Sequence, residues 1–312
     1  MTNRGRAFWF FVLLLVNGMW GTTDFAAKIA LQSMTPAAVA WVRFSFAMLC
    51  FAPVLVVRRR ELPAVSDLAP FLALGACGFF LNFILNYQGI KHTLASHATA
   101  LRISEALAIA LLSVVVLREK LSKTAVAGMG LGVVGVALVL DIDFGNLGLF
   151  RSGARLGDLL VLLSILVEAL YTVIGKTVLR RTRPLTATAL ACAAGWLMLS
   201  ATSLGDIRAM VLHPPAAAAW AACAWLGLAA TAVGYSIWFW VLRREESHRV
   251  GMTIMAQPLV GIPLAAALLG DRLPWSFLAG AALIGAGVYL VLRTSTESED
   301  GTASEERGAN SR

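Results

Sequence analysis

Ionisable and amide side chains interrupt the long apolar stretches of this sequence, where they are costly to bury. Glu105 and Glu168 each lie near the middle of an apolar stretch, and Asn82 and Asn86 lie four residues apart in another. Polar groups at the depth of a lipid bilayer usually face the interior of a helix bundle or a water-filled path. The chemistry that they allow is the reversible binding of a polar solute or a proton.

Spacing places several of these side chains on common helix faces. Residues four apart share a face, as do Glu168 and Thr172, and Thr253 and Gln257. Pro258 would break its helix beside Gln257 and expose backbone carbonyls there, which is typical of a transport site. The candidate binding residues are Asn17, Trp20, Asn82, Asn86, Tyr87, His97, Arg102, Glu105, Glu168, Tyr171, Tyr235, Trp238 and Gln257.

Some of these charges also have a purely structural explanation. Asp24 and Lys28 are spaced to pair with each other at the outer end of their helix, and Arg102 and Glu105 are spaced to neutralise each other. Arg43 has the alternative of binding loop carbonyls near the outer surface. The sequence leaves both a binding role and a structural role open for these charges.

The composition requires lipid rather than water around most of the chain. The 312 residues are 58% hydrophobic and 14% charged, with a mean hydropathy of +0.75, which a water-soluble domain could not bury. We predict an all-α membrane protein, since a barrel would show short alternating segments. Ten apolar stretches are long enough to span a bilayer: residues 8–28, 36–57, 68–89, 94–116, 124–140, 158–177, 185–204, 217–241, 250–270 and 274–292.

The sequence predicts no enzyme, metal site or cofactor. Cys50, Cys77, Cys192 and Cys223 lie singly in apolar stretches without ligand spacing, and His97 has no partner histidine at metal spacing. A net charge of +8 would favour nucleic acid in a soluble protein. Here the basic loops account for it, so we expect no nucleic-acid partner.

The second half of the sequence repeats the first. Pro36 falls on Pro184 at an offset of 148 residues, and Gly75 falls on Gly227 at an offset of 152. At the offset of 152, further matches pair Gly128 with Gly280, Gly135 with Gly287 and Glu119-Lys120 with Asp271-Arg272. Each half then holds five spans, and an odd number inverts the second half relative to the first. We expect the glycines to allow close helix packing.

Basic residues cluster in alternate connections, such as 58–60, 118–123, 180–183 and 243–249. This bias predicts that these connections and both termini are cytoplasmic. The predicted organisation is a cytoplasmic segment 1–7, a first five-helix unit 8–140, an outer linker 141–157, a second unit 158–292 and a disordered cytoplasmic tail 293–312. We expect the first helix to remain uncleaved, because no small-residue cleavage site follows it.

These motifs resemble the drug/metabolite transporter superfamily, specifically its ten-helix exporters of the EamA type. The resemblance rests on features in a fixed order: Trp20-Gly21, Lys28, Pro36, Arg43, Ser104-Glu105-Ala106, Arg118-Glu119-Lys120-Leu121, Ala256-Gln257-Pro258 and Gly270-Asp271-Arg272-Leu273. The family usually shows Glu-Pro at both central points, whereas here the first lacks the proline and the second the glutamate. We assign structural or gating roles to Pro36, Arg43 and Pro258.

The resemblance implies a bacterial inner-membrane carrier, monomeric or homodimeric, that works by alternating access. Its family exports small metabolites. Aromatic walls beside a few polar groups suit a zwitterion with a large apolar side chain, so we expect export of amino acids, aromatic or bulky ones foremost, as in the aromatic amino acid exporter branch. The alternatives are another metabolite or drug (a purine, polyamine or nucleotide sugar) and a lipid flippase of the same superfamily.

Overall fold

A computed structural model describes residues 3–92, 101–139, 155–257, 259–260, 263, 275–276 and 278–291. Within these ranges every regular element is helical, which confirms the predicted all-α membrane class. The predicted tail at 293–312 and most of the predicted linker at 141–157 lie outside the described residues.

The helices follow the predicted apolar stretches, because a segment in lipid must satisfy its backbone hydrogen bonds internally. In chain order they are α1 (Asn3–Gly21), α2 (Thr23–Leu31), α3 (Pro36–Val57), α4 (Ala69–Gly75), α5 (Asn82–His92), α6 (Ile103–Leu117), α7 (Lys123–Val139), α8 (Arg155–Val178), α9 (Pro184–Thr202), α10 (Leu204–Leu212), α11 (Ala217–Ala224), α12 (Ser236–Leu242), α13 (Ser247–Met252) and α14 (Leu278–Val291). The short α10 was not predicted.

Six described segments are long and apolar enough to cross a bilayer: Ala7–Leu31, Pro36–Val57, Ala69–His92, Leu156–Val178, Pro184–Thr202 and Ala217–Leu242. The shorter apolar helices Ser104–Leu117, Lys123–Gly135 and Leu278–Val291 lie in three more of the predicted stretches. Much of the ninth stretch lies outside the described residues, and its start consists of α13 and the 3-10 turn Thr253–Ala256.

The first membrane segment contains a break at Thr22, between α1 and α2. The hydroxyls of Thr22 and Thr23 each donate a 2.7 Å hydrogen bond to a carbonyl three residues earlier, those of Met19 and Trp20. Such side-chain bonds compete with the helical ladder. The break therefore lies between Trp20 and Asp24, two residues that line the cavity described below.

Two membrane segments contain π-helical sections that the sequence did not predict. One, Ala76–Leu81, joins α4 to α5, and the other, Trp225–Tyr235, joins α11 to α12. π-Helical turns bond residues five apart and occur frequently at functional sites. In the second section the Thr231 hydroxyl donates to the carbonyl of Leu226 at 2.8 Å.

Glycines let these two segments lie directly against the backbones of α9 and α3. A β-carbon at Gly75 would lie 2.8 Å from the carbonyl oxygen of Ala191, and one at Gly227 would lie 2.3 Å from that of Arg43. Arg43 corresponds to Ala191 at the offset of 148 residues. The two contacts are therefore reciprocal: Gly75 packs on the repeat equivalent of Arg43, and Gly227, the repeat equivalent of Gly75, packs on Arg43.

α7 and α14 cross in the same reciprocal manner. A β-carbon at Gly128 would lie 2.7 Å from the carbonyl oxygen of Gly287, and one at Gly135 would lie 2.7 Å from that of Gly280. The repeat equivalents are Gly128 with Gly280 and Gly135 with Gly287. Gly128 thus contacts the repeat equivalent of Gly135, and Gly135 contacts the repeat equivalent of Gly128. Contacts exchanged in this way are the pattern of an antiparallel crossing.

The basic connections meet at one end of the bundle, here called the basic end. Arg183 forms a 3.0 Å ion pair with Glu61, and Lys176 donates a 2.6 Å hydrogen bond to the carbonyl of Leu242. The carboxylate of Glu119 accepts a 2.9 Å bond from the backbone N–H of Ser247. These contacts join the connections that follow α3, α6, α8 and α12.

The opposite end is less basic. The hydroxyl of Thr35, the residue before α3, donates to Asp206 at 2.7 Å. Pro36 is the first residue of α3, where its missing N–H costs no helical hydrogen bond. Pro36, Lys28 and Lys91 line a surface recess at this end.

Glu119 fixes the start of α13 at the basic end. Its carboxylate lies 3.1 Å from the Nδ1 atom of His248 and accepts a hydrogen bond from the Ser247 N–H. Burial opposes its ionisation, but the hydrogen bonds from His248 and Ser247 outweigh burial and lower the pKa of Glu119 to about 2.

We expect Glu119→Gln to lower the melting temperature of the detergent-purified protein by a few degrees at neutral pH. The unperturbed carboxyl has a pKa of 4.5, so the stabilisation by Glu119 is complete above that value and disappears as the pH falls towards about 2. The deficit of the variant should therefore shrink as the pH is lowered below 4.5. A deficit that is equal at neutral and acidic pH would contradict this role. Glu61→Gln, at an exposed pair of the same end, is the control.

Candidate functional site

A cavity lies between α1, α2, α3, α5, α6, α8 and the π-helical section Trp225–Tyr235. The cavity volume is about 40 Å³. It therefore admits water or a small polar group, and a bulky ligand requires the walls to move apart. The wall residues are Trp20, Thr23, Asp24, Arg43, Asn82, Phe83, Asn86, Tyr87, Arg102, Glu105, Glu168, Tyr235 and Gln257.

Most of the candidate residues named from the sequence lie in this wall, but three lie behind it. Asn17, Tyr171 and Trp238 are buried and contact wall residues, whereas His97 and Pro258 lie outside the described residues. The wall also contains Arg43, to which the sequence analysis assigned a structural or gating role, and three residues that it did not propose for binding: Thr23, Asp24 and Phe83. Asp24 lies four residues after Trp20, a spacing that could have indicated a shared face.

Arg102 and Asp24 form a two-point ion pair across the cavity. The Nε and Nη2 atoms of Arg102 donate to the two carboxylate oxygens of Asp24 at 3.2 and 2.9 Å, and Nη2 also lies 3.4 Å from Oδ1 of Asn86. Bidentate pairs of this kind are among the stronger hydrogen bonds in proteins. Asp24 thus pairs with Arg102 rather than with Lys28, so the local Asp24–Lys28 pair considered from the sequence spacing is wrong.

Arg43 lies deep in the bundle, with only 3% of its surface exposed. Its Nε donates to the Thr231 hydroxyl at 2.8 Å and its Nη1 to the Tyr87 hydroxyl at 3.1 Å. The guanidinium carbon lies 4.3 Å from the centre of the Phe83 ring, within cation–π distance. The alternative that Arg43 binds loop carbonyls near the outer surface is therefore wrong.

Two carboxylates approach the cavity from the two halves of the chain. Glu105 on α6 is 5% exposed, and Glu168 on α8 accepts a 2.9 Å hydrogen bond from the hydroxyl of Tyr235. α6 and α8 pack against each other, which brings both acids to one cavity. The site therefore contains positive and negative groups within a water-poor environment, where charges interact strongly.

Aromatic rings form one side of the cavity. The Trp20 ring centre lies 5.3 Å from that of Tyr235 and 5.5 Å from that of Trp238. Tyr235 in turn contacts Tyr171 and Phe79, with ring centres 5.7 and 5.2 Å apart. These spacings are typical of favourable aromatic pairs. Apolar ligand surface would be buried on this side.

The π-helical section supplies the polar partner of this aromatic wall. The indole Nε1 of Trp20 donates a 2.8 Å hydrogen bond to the carbonyl of Ala230, which lies within Trp225–Tyr235. An indole N–H removed from water needs such an acceptor, and the carbonyl of Ala230 is one. This hydrogen bond therefore fixes Trp20 against a section that lies 210 residues further along the sequence.

A chain of amides supports the cavity from behind. Asn17 is fully buried, and its Nδ2 donates to the Thr253 hydroxyl at 2.9 Å. The Nε2 of Gln257 donates to Oδ1 of Asn17 at 3.1 Å. This chain fixes the 3-10 turn Thr253–Ala256 against α1. Asn17 therefore positions Gln257, which is itself in the wall.

In the part of the chain that the structure describes, no three His, Cys, Asp or Glu side chains are arranged to hold a metal ion. The wall residues are charges, amides and rings, which suit non-covalent binding. Polar groups that fix orientation beside apolar walls are typical of small-molecule sites.

The chain is similar along most of its length to several transporters. It is 27% identical over 288 residues to an uncharacterized transporter of Archaeoglobus fulgidus, covering 90% of this chain and 98% of that one. It is also 27% identical over 288 residues to a probable amino-acid metabolite efflux pump of Salmonella typhimurium, covering 90% and 93%. A probable terminal-alkyne amino-acid exporter of Streptantibioticus cattleyicolor is 26% identical over 291 residues, covering 92% and 94%.

One solved crystal structure superposes on the chain with a TM-score of 0.72 at 19% identity, covering 96% of this chain and all of the other. The two chains therefore share a fold. The model of the EamA-like transporter family matches this sequence twice, at residues 7–141 and 155–293. The protein is thus a multi-pass membrane transporter and not an enzyme. The chain belongs to the EamA-like transporter family.

Proposed function

We propose that the protein exports amino acids, aromatic or bulky ones foremost, by alternating access. The observation that carries this proposal is the cavity, which combines arginines, carboxylates and an aromatic wall within the membrane-spanning helices. An α-amino acid presents the matching groups: a carboxylate, an ammonium and an apolar side chain. Relatives named as exporters of amino acids or their metabolites support the same substrate class.

The proposed architecture is ten membrane helices in two inverted five-helix units, 8–140 and 158–292. The reciprocal glycine contacts support it, because a two-fold axis between the units would exchange equivalent positions in this way. The two family matches support it as well, since they begin and end at the same offsets that relate the repeated motifs. Transporters built from inverted repeats bind their cargo near the midplane, between the units.

We also propose that the basic end faces the cytoplasm of a bacterial inner membrane, with both termini on that side. Lys and Arg are in excess in cytoplasmic loops, and four basic connections meet at this end. Cysteine labels at 58–60 and at 243–244 should then react from the same side of the membrane. Reaction from opposite sides would contradict both the orientation and the inverted repeat.

Release from loaded vesicles tests the transport activity. Vesicles that contain the purified protein and are loaded with radiolabelled phenylalanine, tryptophan or tyrosine should release label faster than protein-free vesicles. Unlabelled amino acid outside should accelerate release, because exchange returns the carrier in its loaded form. Release no faster than from protein-free vesicles, for all three, would contradict the proposal.

A ligand panel separates amino acids from the other substrate classes. A ligand that binds only the folded protein raises its melting temperature, so amino acids should stabilise the purified protein. Stabilisation by polyamines, purines, nucleotide sugars or lipids instead would assign the cavity to that class and reject amino-acid export.

A further inference from the structure

We propose that Arg43 binds the α-carboxylate of the transported molecule, while Glu105 and Glu168 receive its ammonium group. This inference rests on the proposed amino-acid export and goes beyond it, because it assigns the polar ends of the substrate to named residues. It predicts that the carrier distinguishes a free carboxylate from its neutral amide.

Arg43 is a buried cation whose direct partners are all neutral. It contacts the hydroxyls of Thr231 and Tyr87 and the aromatic rings of Phe83 and Phe44. Among the described residues, no carboxylate lies within ion-pair distance of it. A buried charge without a counter-charge is costly, so this position favours an anion supplied from outside the protein.

The guanidinium has donors to spare for such an anion. A guanidinium carries five N–H donors, and the hydrogen bonds to Thr231 and Tyr87 use one at Nε and one at Nη1. Its Nη2 makes no hydrogen bond to any described residue. Since Arg43 lines the cavity, a carboxylate entering there meets a fixed donor group that needs no reorganisation.

The other arginine in the wall is already neutralised. Arg102 engages both oxygens of Asp24, so its charge is cancelled by the protein. A carboxylate would have to displace Asp24 to bind Arg102 in the same way. Of the two wall arginines, Arg43 is therefore the one open to a ligand.

The acids of the wall complete the site. Among the described residues, neither Glu105 nor Glu168 forms an ion pair, and Glu168 accepts a hydrogen bond from the hydroxyl of Tyr235. Both can accept hydrogen bonds from an ammonium group, which donates three. Positive and negative groups on different helices then fix the two ends of a zwitterion, and its side chain is directed to the aromatic side.

The test compares three probes that differ only in their charged groups: phenylalanine, phenylalaninamide and 3-phenylpropionate. Their dissociation constants are measured on detergent-purified protein. Phenylalaninamide keeps the ammonium but lacks the carboxylate charge, and we expect the wild type to bind it about 10- to 100-fold more weakly than phenylalanine. Arg43→Gln should bind the two with nearly equal affinity, while its affinity for phenylalaninamide changes less than the affinity for phenylalanine.

Matched variants separate this role from a general loss of structure. Arg183→Gln removes an exposed arginine at the basic end and should keep the wild-type preference. Arg43→Lys keeps the charge but not the planar donors, so part of the preference should remain. If Arg43→Gln does not fold, the comparison of wild type with Arg43→Lys still measures the preference.

Each outcome decides a different question. Equal binding of phenylalanine and phenylalaninamide by the wild type would leave amino-acid export standing and overturn the role of Arg43. A preference that survives in Arg43→Gln would overturn it too. Failure of the wild type to bind phenylalanine or its amide would reject the proposed export and this inference with it. Binding of 3-phenylpropionate that is lost in Arg43→Gln would support the carboxylate contact independently of the ammonium.

Discussion

Glu105→Gln and Glu168→Gln are each expected to lower the rate of phenylalanine release from loaded vesicles by about tenfold or more. A hydrogen bond to a charged group contributes about 1.5–3 kcal/mol, and the amide keeps the size of the side chain while it removes the charge. Both acids line the cavity, so either change weakens the binding of an ammonium group.

The pH dependence of release separates the two acids. If one of them gains and loses a proton during transport, its Gln variant should lose the pH dependence that the wild type shows, whereas the other variant should keep it. Glu61→Gln, at the exposed ion pair of the basic end, should change neither rate nor pH dependence. Unchanged rates and pH profiles in both cavity variants would refute the assignment of the polar cavity to α6 and α8.

Gly128→Ala is expected to destabilise the protein strongly, whereas Gly130→Ala on the same helix is not. A β-carbon at Gly128 would lie 2.7 Å from the carbonyl oxygen of Gly287, while at Gly130 nothing lies within 4 Å. Overpacking of this kind costs about 1–3 kcal/mol, and Ala in a helix is otherwise more favourable than Gly. The melting temperatures of the two variants in detergent should therefore shift in opposite directions.

A second pair of substitutions checks the partner helix. Gly287→Ala meets the carbonyl of Gly128 at 2.5 Å and should be as damaging as Gly128→Ala, whereas Gly285→Ala meets nothing within 4 Å. Equal melting temperatures for Gly128→Ala and Gly130→Ala would show that α7 and α14 do not cross at these glycines.

The membrane class and the helix positions could be predicted because they depend on local composition. A polar residue in an apolar stretch also stands out by itself, and this is why Glu105, Glu168, Asn82 and Asn86 could be named as site candidates. The periodicity of the glycines on α7 was sufficient to predict close helix packing, though not the partner at each position.

Long-range pairing could not be predicted in the same way. Asp24 binds Arg102, 78 residues away, whereas spacing alone pointed to Lys28. Arg43 reaches Thr231, 188 residues away, and local pattern offers no signal for such a contact. The π-helical sections could not be predicted for a related reason: their composition is that of an ordinary apolar helix, so no local pattern marks the wider winding.

The positions of two cavity residues depend on the π-helical winding of the section Trp225–Tyr235. It holds the carbonyl that anchors the Trp20 indole and the hydroxyl that meets Arg43. If one π-helical turn of this section became ordinary α-helix, the residues after it would rotate by about 100°, since an α-helix has 3.6 residues per turn. Rewinding would thus release both anchors together without moving a single loop. Amide exchange along this section, measured with and without phenylalanine, would detect such a change.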